Sequence, residues 1–143
     1  FFMTETEERA VPHAEILALY EAVGWSAYTR DPDALFVALE ETDLVVLAWE
    51  GDLLVGLARV LSDDVHIAYV QDILVHPDHQ RKGIGQDLME RVLDRYKHVR
   101  QTVLLCDATP ELAAFYESVG FGESGTVGTG LSAYVRIKGA NVV

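Results

Sequence analysis

The amino-acid sequence predicts a mixed α/β domain, and three observations carry that reading. The centre, Leu44 to Val75, is a succession of β-rich apolar runs separated by short polar turns. After Pro77 the apolar period lengthens to that of an amphipathic helix. The second half then alternates strand, helix, strand, helix, which requires parallel pairing beside an antiparallel centre. At 143 residues, half of them apolar, the chain has the size of one domain with a core, spanning 1–143.

Each element has its own warrant. From Ala14 to Val23, the residues Ile16, Leu17, Leu19, Tyr20 and Val23 recur at helical spacing, and Gly24 stands where a helix is capped. Trp25-Ser-Ala-Tyr28 is an aromatic connection. Asp31-Pro32-Asp33 supplies an N-cap and a proline at the first helical position, opening a short helix to Leu39. Leu44 to Trp49 and Leu53 to Leu61 are strands joined by the tight turn Glu50-Gly51-Asp52. Ser62-Asp63-Asp64 turns the chain into a third strand, Val65 to Val75. Ile84, Leu88, Val92 and Tyr96, widened by Met89 and Leu93, form the stripe of a helix from Gly83 to Lys97. Thr102 to Cys106 returns to strand, with Cys106 expected as a buried core thiol. Thr109-Pro110-Glu111 starts a helix that carries Phe115, Tyr116 and Val119 and ends at Gly120. After a glycine-rich loop, Leu131 to Ile137 reads as the closing strand.

Composition narrows the function. With 11 Lys+Arg against 23 Asp+Glu, the formal charge of -12 argues against nucleic acid or an anionic membrane as partner. It suits either a cationic small-molecule substrate or simple solubility. No stretch approaches the roughly 18 apolar residues of a membrane span, and no basic segment leads into an apolar one, so a soluble, cytoplasmic protein is expected. Met3 reads as an initiator, with Phe1 and Phe2 as an expression remnant. His76 and His79 lie three apart, but no cysteine or carboxylate cluster completes a metal site, and none is expected.

The chemistry concentrates in Val70-Gln-Asp-Ile-Leu-Val-His-Pro-Asp-His-Gln-Arg-Lys-Gly-Ile-Gly85: a buried strand, a polar loop, two glycines, then a helix. The first N–H groups of a helix lack internal partners and sit at the positive end of its dipole. Gly83 and Gly85 let an anion approach the backbone, and Arg81 and Lys82 add positive charge. This is neither a P-loop nor a three-glycine dinucleotide fingerprint. Two glycines at a helix start also serve as a plain strand-to-helix turn.

The whole chain favours the cradle. Gln80-Arg-Lys-Gly-Ile-Gly85 resembles the coenzyme A pyrophosphate signature of the GNAT superfamily of N-acyltransferases. Ala114-Phe-Tyr-Glu-Ser-Val-Gly-Phe121 resembles its second hallmark, an aromatic-tyrosine pair followed by glycine-phenylalanine. The resemblance runs from about His13 onward, and Ile73-Leu-Val-His-Pro77 is similar to small arylalkylamine-type acetyltransferases. It implies a GNAT-type mixed central sheet of about six to seven strands flanked by about four helices. Its usual first strand would fall in the acidic stretch Thr4 to Val11, so that edge is expected to be short or missing.

The resemblance also implies roles. The backbone of Ile73, Leu74 and Val75 would pair with the pantetheine arm of acetyl-CoA. Gln80, Arg81, Lys82, Gly83, Ile84, Gly85 and Gln86 would hold the pyrophosphate, and Phe115 would pack on the cofactor. The Val75 N–H would stabilise the oxyanion, and Tyr116 would protonate the departing thiolate. An alkyl ammonium near pKa 10.4 must first lose a proton, at roughly 4 to 5 kcal/mol at pH 7. Asp72 is the first candidate base and Asp107 the second, each directly or through water; Gln71 stands where the family often has glutamate. Thr109 stands where an asparagine often contacts the cofactor, or is an N-cap only. Trp25 and Tyr28 either line the acceptor pocket or cover the sheet. The expected reaction is direct attack of a small primary amine on acetyl-CoA. A protein N-terminal or lysine amine is the variant acceptor, a non-catalytic acetyl-CoA sensor the competing reading, and a homodimer the family habit.

Overall fold

Helix boundaries fall where capping chemistry puts them. The structure, a computed structural model, describes residues 1–6, 11–125 and 130–138. Strand β1 (Phe2–Glu5) precedes helices α1 (His13–Val23), α2 (Ser26–Thr29) and α3 (Pro32–Glu40). Strands β2 (Leu44–Glu50), β3 (Leu53–Ser62) and β4 (Ile67–Val75) follow, then a 3₁₀ turn (Pro77–His79), α4 (Ile84–Arg95), β5 (Gln101–Leu104) and α5 (Pro110–Ser118). Gly24 closes α1 in the left-handed conformation, φ 78°. The carboxylate of Asp31 accepts the Ala34 N–H at 3.2 Å to start α3, and the hydroxyl of Thr109 accepts the Leu112 N–H at 3.3 Å to start α5.

The chain forms two compact units, Phe1–Leu105 and Cys106–Val143. The first holds one mixed sheet in the order β1-β2-β3-β4-β5, antiparallel except for the parallel pair β4-β5. One face buries Ile16, Leu19 and Tyr20 of α1 and Leu35 and Leu39 of α3 against Val45, Leu47, Leu54, Leu57 and Leu74. Burying each such side chain stabilises by about 1.5 to 3 kcal/mol. Residues alternate across a strand, so Ala48 and Gly56, next to Leu47 and Leu57, face the other way. There α4 packs through Ile84, Leu88, Met89 and Val92, all buried. A β-carbon on Gly56 would lie 2.9 Å from Ile84 Cγ2 and 3.0 Å from Leu88 Cδ1, so the glycine lets the start of α4 sit directly on β3.

Several expectations are corrected. The sheet has five strands and the chain five α-helices among the described residues, against the six to seven and four expected. Leu131 to Ile137 forms no strand: it joins none of the ladders, and Leu131, Tyr134, Val135 and Ile137 are exposed. An alternating sequence becomes a strand only where a sheet edge receives it. Cys106 is exposed, because β5 stops at Leu104 and the residue lies past the strand end. The third strand starts at Ile67 rather than Val65, since Asp63 draws the backbone N–H groups of Val65, His66 and Ile67 into its turn. The first strand is present, short, and earlier than expected: Phe2 to Glu5 pair with Trp49 to Val46. Of the stretch Thr4 to Val11, residues 7–10 lie outside the described residues. Glu5 is tolerated at this edge because Arg91 of α4 meets it at 3.3 Å.

Candidate active site

The parallel ladder between β4 and β5 ends at Val70 and Leu104, while β4 runs on to Val75. On its other side β4 stays paired with β3 up to Gly56 opposite Val75. Among the described residues, Gln71 to Val75 therefore present one strand edge with no neighbouring strand, and an extended ligand can add there. The predicted residues Ile73, Leu74 and Val75 lie on this edge, Leu74 buried and its two neighbours half-buried.

The strand leads straight into the predicted cradle. His76 Nδ1 accepts the Asp78 N–H at 3.1 Å and opens the 3₁₀ turn, after which Gln80 is extended. Arg81 and Gly83 both take positive φ, 64° and 81°. Gly83 caps α4 without a side-chain hydrogen bond, and the first intrahelical bond runs from the Asp87 N–H to the Gly83 carbonyl at 3.0 Å. The N–H groups of Ile84, Gly85 and Gln86 thus have no helical partner. Arg81, Lys82, Gly83 and Gln86 are exposed, and Lys82 Nζ is 3.5 Å from His79 Nδ1. The arrangement fits a phosphate: open donors, two cationic side chains, and a left-handed glycine where a side chain would be strained.

A second cluster lies behind β4, on the α1 face. Asp72 is 4% exposed, and both its oxygens are engaged. Oδ2 accepts from Tyr20 Oη and Arg59 Nε, and Oδ1 from Tyr28 Oη, all at 2.8 Å. Tyr28 Oη also accepts from Gln71 Nε2 at 3.2 Å. Adjacent residues of a regular strand point to opposite faces. Here Arg59 pairs with Asp72 and Val60 with Val70, so Gln71 is the extra residue of a β-bulge, which brings it and Asp72 to the same tyrosine. Burial first, then the charge of Asp72, raises the pKa of Tyr20 far above the phenol range; the same two causes raise that of Tyr28. Burial opposes the charge on Arg59, but Asp72 more than offsets it and the guanidinium pKa goes up. Trp25 and Tyr28, half-buried, meet the Tyr20 ring edge-on at 5.9 Å and tilted at 5.2 Å, and lie 6.1 Å from each other. Of the two roles the sequence left open for them, they fill one: they cover part of this face, packed against Tyr20.

In the second unit, Tyr116 is 8% exposed and flanked edge-on by Phe115 and Phe121 at 5.1 and 6.0 Å. Burial, with a smaller contribution from Cys106, pushes its pKa up to about 12. Phe115 is half-buried and Asp107 exposed. Partial burial first, then the charges of Asp107 and Glu123, raises the Cys106 thiol pKa.

Sequence reasoning missed three residues that organise the site: Arg59, Tyr20 and Gly56. The first carried a signal, since a lone arginine inside the apolar run Leu53 to Leu61 needs a buried anion, and Asp72 is the one charge in the next apolar run. Tyr20 looked like one more apolar member of a helical stripe. Among the described residues no group of histidine, cysteine and carboxylate side chains could hold a metal, and no helix is long and apolar enough to cross a membrane.

Comparison with known proteins gives a consistent picture. Residues 17–130 match the family model of the acetyltransferase (GNAT) domain. An "Uncharacterized N-acetyltransferase ycf52-like" protein of Prochlorococcus marinus is 33% identical over 122 residues, 81% of this chain and 66% of the relative. A ycf52 N-acetyltransferase of Gracilaria tenuistipitata is 36% identical over 109 residues, 72% of this chain and 58% of its own length. The chain therefore spans less than two thirds of these curated relatives. A solved GNAT-family acetyltransferase of Streptococcus pneumoniae superposes with a TM-score of 0.83 at 32% identity, covering 97% of this chain and 98% of that one.

Proposed function

The chain belongs to the GNAT acetyltransferase family, and from that premise we propose that it moves the acetyl group of acetyl-CoA to a small primary amine. The observation that carries the reading is the run from an unpaired strand edge, Gln71 to Val75, through a short turn into the uncapped start of α4. A coenzyme A thioester combines the two features that suit these surfaces: an arm bearing amides and a pyrophosphate. The edge offers the arm strand-like hydrogen bonds, and the helix start offers the pyrophosphate N–H groups with Arg81 and Lys82 beside them.

Acetyl-CoA supplies an activated acetyl group; the protein orients it and manages protons. In this reading Ile73, Leu74 and Val75 align the arm, and a backbone N–H of this edge meets the negative charge that grows on the thioester oxygen. Phe115 packs on the cofactor. Tyr116 donates a hydrogen bond to the departing sulfur. With its pKa near 12 it stays protonated at neutral pH. Full transfer to a thiolate of pKa about 8.5 would run uphill by roughly 5 kcal/mol, so its contribution is the hydrogen bond itself. Asp72 would have to give up one of its present donors to act as the base. Its protonation would also leave Arg59 buried without a counter-charge, a situation worth about 3 to 5 kcal/mol. We therefore assign proton removal from the amine to water or to the exposed Asp107, and to Asp72 the task of holding the residues around it. The acidic balance of the chain, -12, favours approach of a cationic acceptor.

Thiol release from acetyl-CoA, followed over 2-phenylethylamine, spermidine and a short peptide, tests the proposal. Turnover on one class is expected, and Tyr116→Phe should reduce it about 100-fold while the acetyl-CoA-induced rise in melting temperature persists. Turnover unchanged in the variant removes Tyr116 from the reaction. Acetyl-CoA binding with no turnover on any amine turns the reading toward a sensor.

A further inference from the structure

We propose that Gln71 anchors the acceptor amine, its side-chain carbonyl oxygen accepting an amine N–H. This rests on the acetyltransferase reading above and names the acceptor contact within it. The argument is one of hydrogen-bond direction. Asp72, paired with the Arg59 guanidinium at 2.8 Å, accepts at both oxygens. The Tyr28 hydroxyl, 2.8 Å from Asp72 Oδ1, must therefore spend its single proton there, leaving only lone pairs for Gln71. The Gln71 group 3.2 Å from Tyr28 Oη is consequently its NH₂ end. That leaves Oε1, which has no hydrogen-bond partner among the described residues although Gln71 is half-buried. Arg59 and Tyr20 hold Asp72, Asp72 orients Tyr28, and Tyr28 fixes which way round the amide sits.

The position suits this task. Gln71 is the bulged residue of β4 and the first one past the end of the β4-β5 ladder, so it stands at the head of the edge assigned to the pantetheine arm. Tyr28, bonded to it at 3.2 Å, provides aromatic surface next to it, with the Trp25 ring 6.1 Å beyond. A neutral amide also differs from a carboxylate at the same point. A carboxylate would stabilise the ammonium, the form that cannot attack, whereas a carbonyl oxygen hydrogen-bonds the free amine without adding charge. The site thus reads a donor on the acceptor and holds the ammonium form less tightly than a carboxylate would.

The test uses the full chain and whichever amine of the panel is turned over fastest. Gln71→Leu should raise the KM for the amine about tenfold, the loss of one hydrogen bond, and leave the KM for acetyl-CoA within twofold of its starting value. Tyr28→Phe, which frees the amide to rotate, should raise the amine KM about threefold, and should add nothing once residue 71 is leucine. Melting curves establish that each variant is folded; if Gln71→Leu is not, Gln71→Met takes its place with the same expectation. Amine KM unchanged in the leucine or methionine variant, or Tyr28→Phe and Gln71→Leu effects that simply multiply, overturns the anchor. Wild-type protein inactive on every amine removes the acetyltransferase reading and the anchor with it, a result distinct from turnover that ignores Gln71.

Discussion

Two polar regions lie along β4, and they are built on opposite plans. Behind the strand, Asp72, Arg59, Tyr20 and Tyr28 partner one another, and among the described residues no buried side-chain nitrogen or oxygen lacks a hydrogen bond. Beyond its end, the cradle from Gln80 to Gln86 leaves helix N–H groups and two cations open. A buried polar group without a partner costs about 1 to 3 kcal/mol, whereas open donors facing water cost little and await a ligand. The first region is therefore structural, a frame that fixes β4 and its bulge. The second is the one our proposal assigns to binding. In the proposed reading the two divide the work: the closed cluster sets where the edge begins, and the open one receives the pyrophosphate.

The sharpest way to break that comparison is to remove one partner from the closed cluster. Arg59→Met leaves the Asp72 carboxylate buried without its cation and should destabilise the protein by about 3 to 5 kcal/mol in urea titration. Arg59→Met combined with Asp72→Leu should recover much of the loss, because both charges are then gone. Lys82→Ala in the cradle should leave stability within about 0.5 kcal/mol and lower affinity for acetyl-CoA. Equal stability costs at the two places would erase the distinction.

A middle-sized effect is expected where the regions are mechanically joined. Gly56→Ala puts a methyl group 2.9 Å from Ile84 Cγ2, a branched methyl close to its own backbone that cannot simply swing away. The start of α4 must shift, at about 1 to 3 kcal/mol of stability. Because the same turn of helix carries the open N–H groups, acetyl-CoA affinity should fall with it, read by calorimetry. Lost stability with full affinity would show that the cradle tolerates displacement of its helix.

Much of this was legible in the sequence, and the residues show why. Helix starts at Asp31 and Thr109 and the turn at Gly51 were readable because local chemistry alone decides them. The turn from β4 into the glycine-started helix α4 was readable because its motif is contiguous. The cluster behind β4 was not, since Tyr20, Tyr28, Arg59 and Asp72 are spread over α1, α2, β3 and β4 and only the sheet register brings them together. The bulge at Gln71 has no mark of its own in the sequence, and strict alternation would have sent that side chain to the other face. Leu131 to Ile137 failed in the reverse sense: its pattern suits a strand, but pairing is a property of the neighbour.

The smallest effect concerns a third carboxylate, Asp63, which is as fully satisfied as Asp72 but stands in water. Its Oδ1 accepts the backbone N–H groups of Ile67, Val65 and His66 at 2.8 to 3.0 Å, and these bonds hold its pKa down at about 2, below the ordinary 3.8. A depressed carboxylate adds stability above its unfolded pKa and loses it as pH falls through the folded one. Asp63→Asn keeps an acceptor oxygen and removes only the charge. Its melting temperature should therefore lie slightly below wild type from pH 7 to about 4, and the gap should close between there and pH 2. A gap that persists below pH 2 would place the stabilisation in the geometry of the turn rather than in the charge. That would show that a satisfied carboxylate matters energetically through its charge only when, like Asp72, it is withdrawn from water.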